Sequence, residues 1–251
     1  MPPRPSTTAL DAPPVEPWST FDARFSRSWK QGQHCLFVGP AGSGKTVAAR
    51  TFAAERKFVV VLGTKMRDEE MDAYLAEGYT RIEEWPPPRK ATKPMTDGSI
   101  RVVLWPKIKT RADLRRHRPV FAKCLDSVLV DGGWTVVADE GLWLSDKAGL
   151  GLGDHLSAIA YTGRSSGVTL MMVVQRPSGV PRNTWSNVSH AFLWHHGVTG
   201  DTRELASLGT APPKAVAAAV QSLQGHDFLY LPCRAGTGWA VSCVDLAAVG
   251  R

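Results

Sequence analysis

No stretch of the 251 residues is apolar for long enough to cross a bilayer. The longest apolar run, Val168 to Val174 read with its Thr169, is far short of the roughly 20 residues a spanning helix needs. The N-terminal MPPRPSTTALDAPP has no apolar h-region, so no secretory leader is read, and a soluble, intracellular-type chain with no membrane partner is expected. Cysteine is scarce. Cys35, Cys124, Cys233 and Cys243 are scattered, without a CxxC pair or zinc-ligand spacing, and read as buried small hydrophobes in a reducing compartment. His190, His195 and His196 lack carboxylate or Cys partners at ligand spacing and read as core or surface histidines, not a metal site. No internal repeat is present, and the glycine-rich stretch 149–154 is not GxGxxG, follows no strand and reads as a flexible loop.

What is present is ordinary in amount and uneven in place. A hydrophobic fraction of 43% and a charged fraction of 21% are enough for a buried core. Thirty Lys and Arg against 23 Asp and Glu leave a net charge of +7. Between Arg89 and Lys123 eleven basic residues face only Asp97 and Asp113, so that segment alone exceeds the whole-chain surplus. A localised excess of this kind points to a polyanionic partner, against the alternative of a solvated helix face and a mobile loop.

Residues 1–17 carry six prolines and read as a disordered or extended arm; 18–251 read as one domain. A short helix is expected over Ser19–Trp29, capped by Ser19 or Thr20, then a buried strand at His34–Val38, a helix over Lys45–Lys57 and a β-branched strand at Phe58–Leu62. Further on come a helix over Arg67–Gly78, an exposed loop over Trp85–Ser99 and a strand over Arg101–Trp105. A basic helix over Ala112–Val130, broken or kinked near Pro119, follows. Trp134–Ala138, Val168–Val174 and Ala191–Trp194 read as strands, His155–Tyr161, Arg203–Leu208 and Lys214–Leu223 as helices, and Phe228–Leu231 with Trp239–Val244 as a closing hairpin. Buried strands alternating with helices imply an α/β fold, a mainly parallel sheet with helices on both faces and a C-terminal β-hairpin.

Gly39-Pro40-Ala41-Gly42-Ser43-Gly44-Lys45-Thr46 matches the P-loop pattern GxxxxGK[ST], between a strand and a helix as that motif requires. Its backbone N–H groups turn inward around phosphates at a helix N-terminus, with Val47 completing the segment; Lys45 reaches the β- and γ-phosphates and the Thr46 hydroxyl ligates Mg²⁺. Asp139, at the end of the Trp134–Ala138 strand, holds the Mg²⁺ directly or through water, and Glu140 is placed to polarise an attacking water. ATP and Mg²⁺ are therefore the expected ligands, and the absence of NKxD disfavours guanine. Gln175 ends the next apolar strand, where it senses a γ-phosphate, positions water or simply leaves the core. Arg164 sits in an exposed turn, either solvated or offered to the nucleotide of a neighbouring subunit.

The order P-loop, VVADE, GRSSGVTLMMVVQRPSGVP and a strand near HAFLWH resembles the FtsK/HerA branch of RecA-like (ASCE) P-loop motor ATPases, from about Cys35 to Leu208. The resemblance implies that Arg164 acts as an arginine finger in trans and Gln175 as a sensor, with Arg176 a second finger candidate. It also implies a homo-oligomeric ring, hexamer or pentamer, that pulls double-stranded DNA through its centre, in viral genome packaging or plasmid transfer. A portal or other docking protein is an expected partner, and the host cytoplasm or the virion the expected location. On that basis the basic segment grips phosphates, and Trp85 and Trp105 beside it are available for stacking. With no membrane segment before the motor and no DNA-reading or nuclease domain after it, a bare motor is expected. A nucleotide-switched assembly protein acting on protein partners is the alternative; a small-molecule kinase is disfavoured by Glu140 and Gln175.

Overall fold

The computed structural model describes residues 12–89, 93–107, 109–178, 180, 182–197, 199–209, 211–234 and 238–246. Nine strands form one sheet: β1 (His34–Val38), β2 (Phe58–Leu62), β3 (Thr80–Ile82), β4 (Ile100–Leu104), β5 (Thr135–Ala138), β6 (Thr169–Val174), β7 (Val188–Trp194), β8 (Asp227–Pro232) and β9 (Ala240–Cys243). Their order is β3-β4-β2-β5-β6-β1-β7-β8-β9. Pairing is parallel from β3 to β7 and antiparallel through β8 and β9. β6 is therefore the middle strand, with β5 on one side and β1 on the other.

Central strands of a covered parallel sheet bury both faces, and β1, β5, β6 and β7 are buried at every position, including the polar His34, Thr135, Thr169, Ser189 and His190. On one face α1 (Trp18–Ser28), α2 (Lys45–Ala54) and α3 (Glu69–Ala76) cover an aromatic-rich core. Phe25 lies 4.7 Å from Phe52 and Phe37 stacks on Phe192 at 4.6 Å, ring to ring, which adds directional packing to the burial. The other face is aliphatic. It is covered by α4 (Arg111–Asp131), α5 (Gly141–Ser145), α6 (Gly153–Thr162), α7 (Arg182–Asn187), α8 (Thr199–Leu205) and α9 (Pro213–Ser222), with the side chains of Phe121, Leu125, Leu156 and Val216 in its core.

Several expectations change. The first helix begins at Trp18 with Pro17 as its N-cap, so Ser19 and Thr20 lie inside the first turn and neither caps it. α4 runs unbroken through Pro119. The carbonyl of Arg115, which loses its helical donor there, sits on an exposed turn where water can satisfy it. The stretch 149–154 is a packed turn, not a flexible loop: Leu150 and Leu152 are buried, and Arg118 donates to the carbonyls of Leu150 and Gly151. Cys35 and Cys124 are buried as expected, but Cys233 is half-buried and Cys243, at the end of an outer strand, is exposed. β3, α5 and α7, all short, were not anticipated. Residues 1–11 of the arm and the turn at 235–237 lie outside the described residues. The arm's last residues are extended along β9, where Glu16 and Val241 donate to Val241 and Pro14 respectively.

Candidate functional site

In a parallel sheet the crevice for a ligand opens at the C-terminal ends of the strands, where the order of connection reverses. β1 ends there at Gly39. A side chain at this position would put its Cβ 2.6 Å from Trp194 Cβ, so the loop leaves the strand only because residue 39 has none. Gly44, the N-cap of α2, takes φ +96°, a left-handed turn that aims the helix N-terminus back across the loop. The C-terminal hairpin braces this loop from behind: His226 Nδ1 lies 3.2 Å from the Ser43 carbonyl, and Val244 packs under Gly44. That brace was not legible in the sequence.

A cleft of about 200 Å³ opens over the loop, lined by Ala41, Gly42, Lys45, Thr46, Asp139, Glu140 and Gln175, and also by Lys65 and Glu70. Pro40 stands at its exposed rim, and Val47 turns away to pack against the aromatic core. Lys45 is buried and its Nζ donates to the Pro40 carbonyl at 2.6 Å, which holds the ammonium across the loop. Burial lowers its pKa, and the carboxylates of Asp139 and Glu140 offset part of that. The Thr46 hydroxyl donates to Asp139 Oδ1 at 3.4 Å, joining the ends of β1's loop and β5.

Asp139 is the most perturbed acid in the cleft. Burial pushes its carboxyl up to about 7; Lys65 opposes this, and the nearby carboxylates of Asp68, Glu140 and Glu70 add to it. A buried carboxylate among other carboxylates is a group in need of a cation. Among the described residues no cluster of three or more His, Cys, Asp or Glu side chains could hold a metal by itself. The oxygen donors of Thr46 and Asp139 fit a hard divalent cation such as Mg²⁺ that brings further oxygen ligands with its phosphates.

Glu140 adopts φ 60°, ψ 45°, the only left-handed non-glycine backbone among the described residues. Such a conformation costs about 1 kcal/mol and is kept where surroundings enforce it. Here its carboxylate is drawn to Lys65 Nζ at 2.8 Å. Lys65 follows β2, and sequence reasoning missed it: a lysine three residues past a strand is commonplace until the sheet order puts β2 beside β5. Glu70 is tied to Arg50 at 3.2 Å, which fixes α3 against α2 beside the cleft.

The fold is that of RecA-like P-loop ATPases. The structural neighbours named here are FtsK/HerA-type motor ATPases. They include the genome packaging NTPase B204 from Sulfolobus turreted icosahedral virus 2 in complex with AMP (12% identity, TM-score 0.59, 85% of this chain and 98% of that one). The cytoplasmic domain of the Thermomonospora curvata Type VII secretion ATPase EccC aligns with 16% identity and TM-score 0.56, over 86% of this chain and 25% of that one. The pCW3 conjugation coupling protein TcpA aligns with 14% identity and TM-score 0.51, over 84% and 59%. At the level of sequence, no family model and no curated protein matches the chain.

Against this RecA-like frame the remaining candidate residues fall in three places. Gln175, at the exposed end of β6, shares the cleft with Lys45, Asp139 and Glu140. Arg164 does not. Its turn lies at the start of β6, against Gly32 before β1, six strand residues or roughly 20 Å from Gln175. It is exposed, and its side chain makes no hydrogen bond or ion pair among the described residues. Arg176 is held by Asp201 at 2.9 Å.

The basic segment is less free than its composition implies. Arg101 donates to the carbonyls of Ala54 and Arg56, Arg118 to two carbonyls of the 149–154 turn, Arg116 pairs with Asp113 and Lys107 with Glu83. Lys93, Lys109, Arg115 and Lys123 stand exposed without an ion pair among the described residues. The expected stacking role of Trp85 and Trp105 does not hold, because both are buried. Trp85 packs edge-on against Trp134, and Trp105 donates to the Lys65 carbonyl beneath the Arg81 guanidinium. Their large apolar surface is drawn into the core although the residues around them are Pro- and Lys-rich. No helix among the described residues is long and apolar enough to cross a membrane.

Proposed function

We propose that this chain is an ATPase motor that assembles into a homo-oligomeric ring, hexamer or pentamer, and moves double-stranded DNA in viral genome packaging or plasmid transfer. The observation that carries the reading is the single cleft uniting Lys45, Thr46, Asp139, Glu140 and Gln175, with Arg164 placed beyond its reach. The backbone N–H groups of 41–46 cradle the phosphates of ATP, and Lys45 exchanges the Pro40 carbonyl for phosphate oxygens. Thr46 and Asp139, together with the phosphates, would hold Mg²⁺, which would neutralise charge on the transferred group. Glu140 accepts the proton of a water whose oxygen bonds the γ-phosphorus while the bond to the bridging β–γ oxygen breaks and ADP leaves. Lys65 sets the direction of the Glu140 carboxylate. Gln175 contacts the γ-phosphate and reports its loss to β6, and Arg164 from the adjacent copy stabilises the transition-state charge.

DNA as the polyanion is supported by two of the neighbours, one described as a DNA-packaging ATPase and one as a conjugation coupling protein. Lys93, Lys109, Arg115 and Lys123, without an ion pair among the described residues, would grip phosphates without reading bases. A portal or other docking protein, and residence in the host cytoplasm or the virion, belong to the packaging version of this reading.

One observation favours the second reading, a nucleotide-switched assembly protein: much of the basic segment is spent on internal bonds, and Trp105 within it and Trp85 beside it are both buried. ATP hydrolysis measured with and without duplex DNA across a salt series separates the two. The motor reading expects stimulation that fades as salt rises, and no stimulation at any salt would replace it with the assembly protein.

A further inference from the structure

Five large apolar side chains stand exposed among the described residues, and they are not scattered evenly. Val15 and Leu246 lie beside β9 or just past it, at the far edge of the sheet. The other three divide between the two ends of the parallel strands. Met66, 62% exposed, immediately follows Lys65 at the nucleotide end. Val130, 85% exposed, ends α4 at the opposite end, and Tyr161 stands at the end of α6, three residues before Arg164.

Val130 rims a groove of about 590 Å³ with Trp85 and Trp134 in its wall and Asp126 and Asp131 on its lip; no basic side chain lines it. Asp126 is bonded to His155, while Asp131 has no ion pair among the described residues. The groove is joined to the turn that carries Arg164, because Gly133 N donates to the Ser166 carbonyl at 3.0 Å. At the nucleotide end the pattern is reversed in charge. Met66 is flanked by Arg67, which is exposed and has no ion pair among the described residues.

We infer that these two surfaces are the halves of one contact between copies of this chain. Met66 of one copy seats against Val130 and Trp134 of the next, and Arg67 faces Asp131. The unbranched, polarizable methionine suits an irregular apolar groove, and the paired charges fix which end meets which. Each half lies beside half of a catalytic site: Met66 beside the Lys65–Glu140 pair, the groove beside Arg164. Docking one on the other therefore brings the neighbour's Arg164 to the cleft it cannot reach within its own chain. The contact is heterologous, so it builds a ring or a filament and never a closed two-fold dimer. This inference rests on the ring reading above and specifies its interface.

The test is a full-length chain carrying Met66→Cys and Val130→Cys, with Cys233→Ala and Cys243→Ser to remove the accessible native thiols. It is oxidised mildly with a non-hydrolysable ATP analogue and run on a non-reducing gel, beside sedimentation of the uncrosslinked chain. The expected result is a ladder of multimers that vanishes with reductant and is absent from either single-cysteine chain, since a disulfide needs Cα atoms within about 7 Å. An oligomer by sedimentation that yields no ladder would overturn the inference and leave the ring reading standing. A chain that stays monomeric under every nucleotide condition would overturn both. As a second readout, Arg67→Asp or Asp131→Arg alone should weaken assembly about tenfold, and the two together should restore it; failure of the pair to rescue would count against this contact.

Discussion

At the end of the sheet where the strands terminate, the charged groups lining the cleft are matched within the chain. Lys45 is bonded to the Pro40 carbonyl, Thr46 to Asp139, Glu140 to Lys65 and Glu70 to Arg50. At the end where the strands begin, Arg164 and Asp131 have no such partners among the described residues, and Val130 and Tyr161 are left in water. The same parallel sheet produces both ends, so the difference lies in what each is finished for. The first is a preorganised pocket whose bonds are ready to be exchanged for those of a ligand. The second keeps an arginine and apolar surface in reserve, which is stable only as a small cost and becomes useful when another molecule covers it.

That contrast can be broken from either side. Arg164→Ala should have the largest effect, a loss of turnover of about 10³-fold or more with ATP binding intact, read by steady-state hydrolysis and by calorimetric titration. Glu140→Gln should lower hydrolysis by about 10²- to 10³-fold and also keep ATP bound, which a filter-retention assay would show. Lys45→Ala should cost about 10²-fold in turnover and, unlike the other two, weaken binding as well. If Lys45→Ala hydrolysed ATP at the normal rate, the P-loop assignment would be lost.

Acid should act on the two ends with opposite sign. His34, buried at the start of β1 with Nδ1 accepting from Leu170 N, is lowered to about 4 by burial, and so is His190. Between about pH 6.5 and 4 the unfolded chain binds a proton at each of these histidines that the folded chain refuses, so they make stability fall as pH falls. Asp139, raised to about 7, already holds a proton over that window when folded and opposes the fall. Thermal unfolding across pH 7 to 4 should therefore be flatter for His34→Asn and steeper for Asp139→Asn than for the parent chain. The change is about 1.4 kcal/mol per pH unit in each case.

The pocket end was far more legible in the sequence than the other. β1 and β2 fall on their expected boundaries because short apolar runs bounded by polar residues leave little choice. The P-loop is local in sequence, and Asp139-Glu140 is marked by the strand before it. Lys65 was invisible because its meaning comes from sheet order, a long-range property that puts β2 next to β5. Trp85 was misplaced for the complementary reason. Its neighbours in sequence are prolines and charges, while its neighbours in space are Trp134 and the aliphatic core. Arg164 could be named from the sequence, but only the fold reveals that it stands a full strand length from the cleft of Lys45 and Asp139 in its own chain.

The central claim is that each cleft is completed by the next copy, and mixing two inactive chains tests it most directly. Arg164→Ala subunits keep Glu140, and Glu140→Gln subunits keep Arg164. Combined in equal amounts and allowed to exchange, they should recover ATP hydrolysis approaching about a quarter of the parent rate, the share of contacts at which an intact cleft meets an intact arginine in a head-to-tail ring. A mixture no more active than the average of the two variants alone would contradict the account.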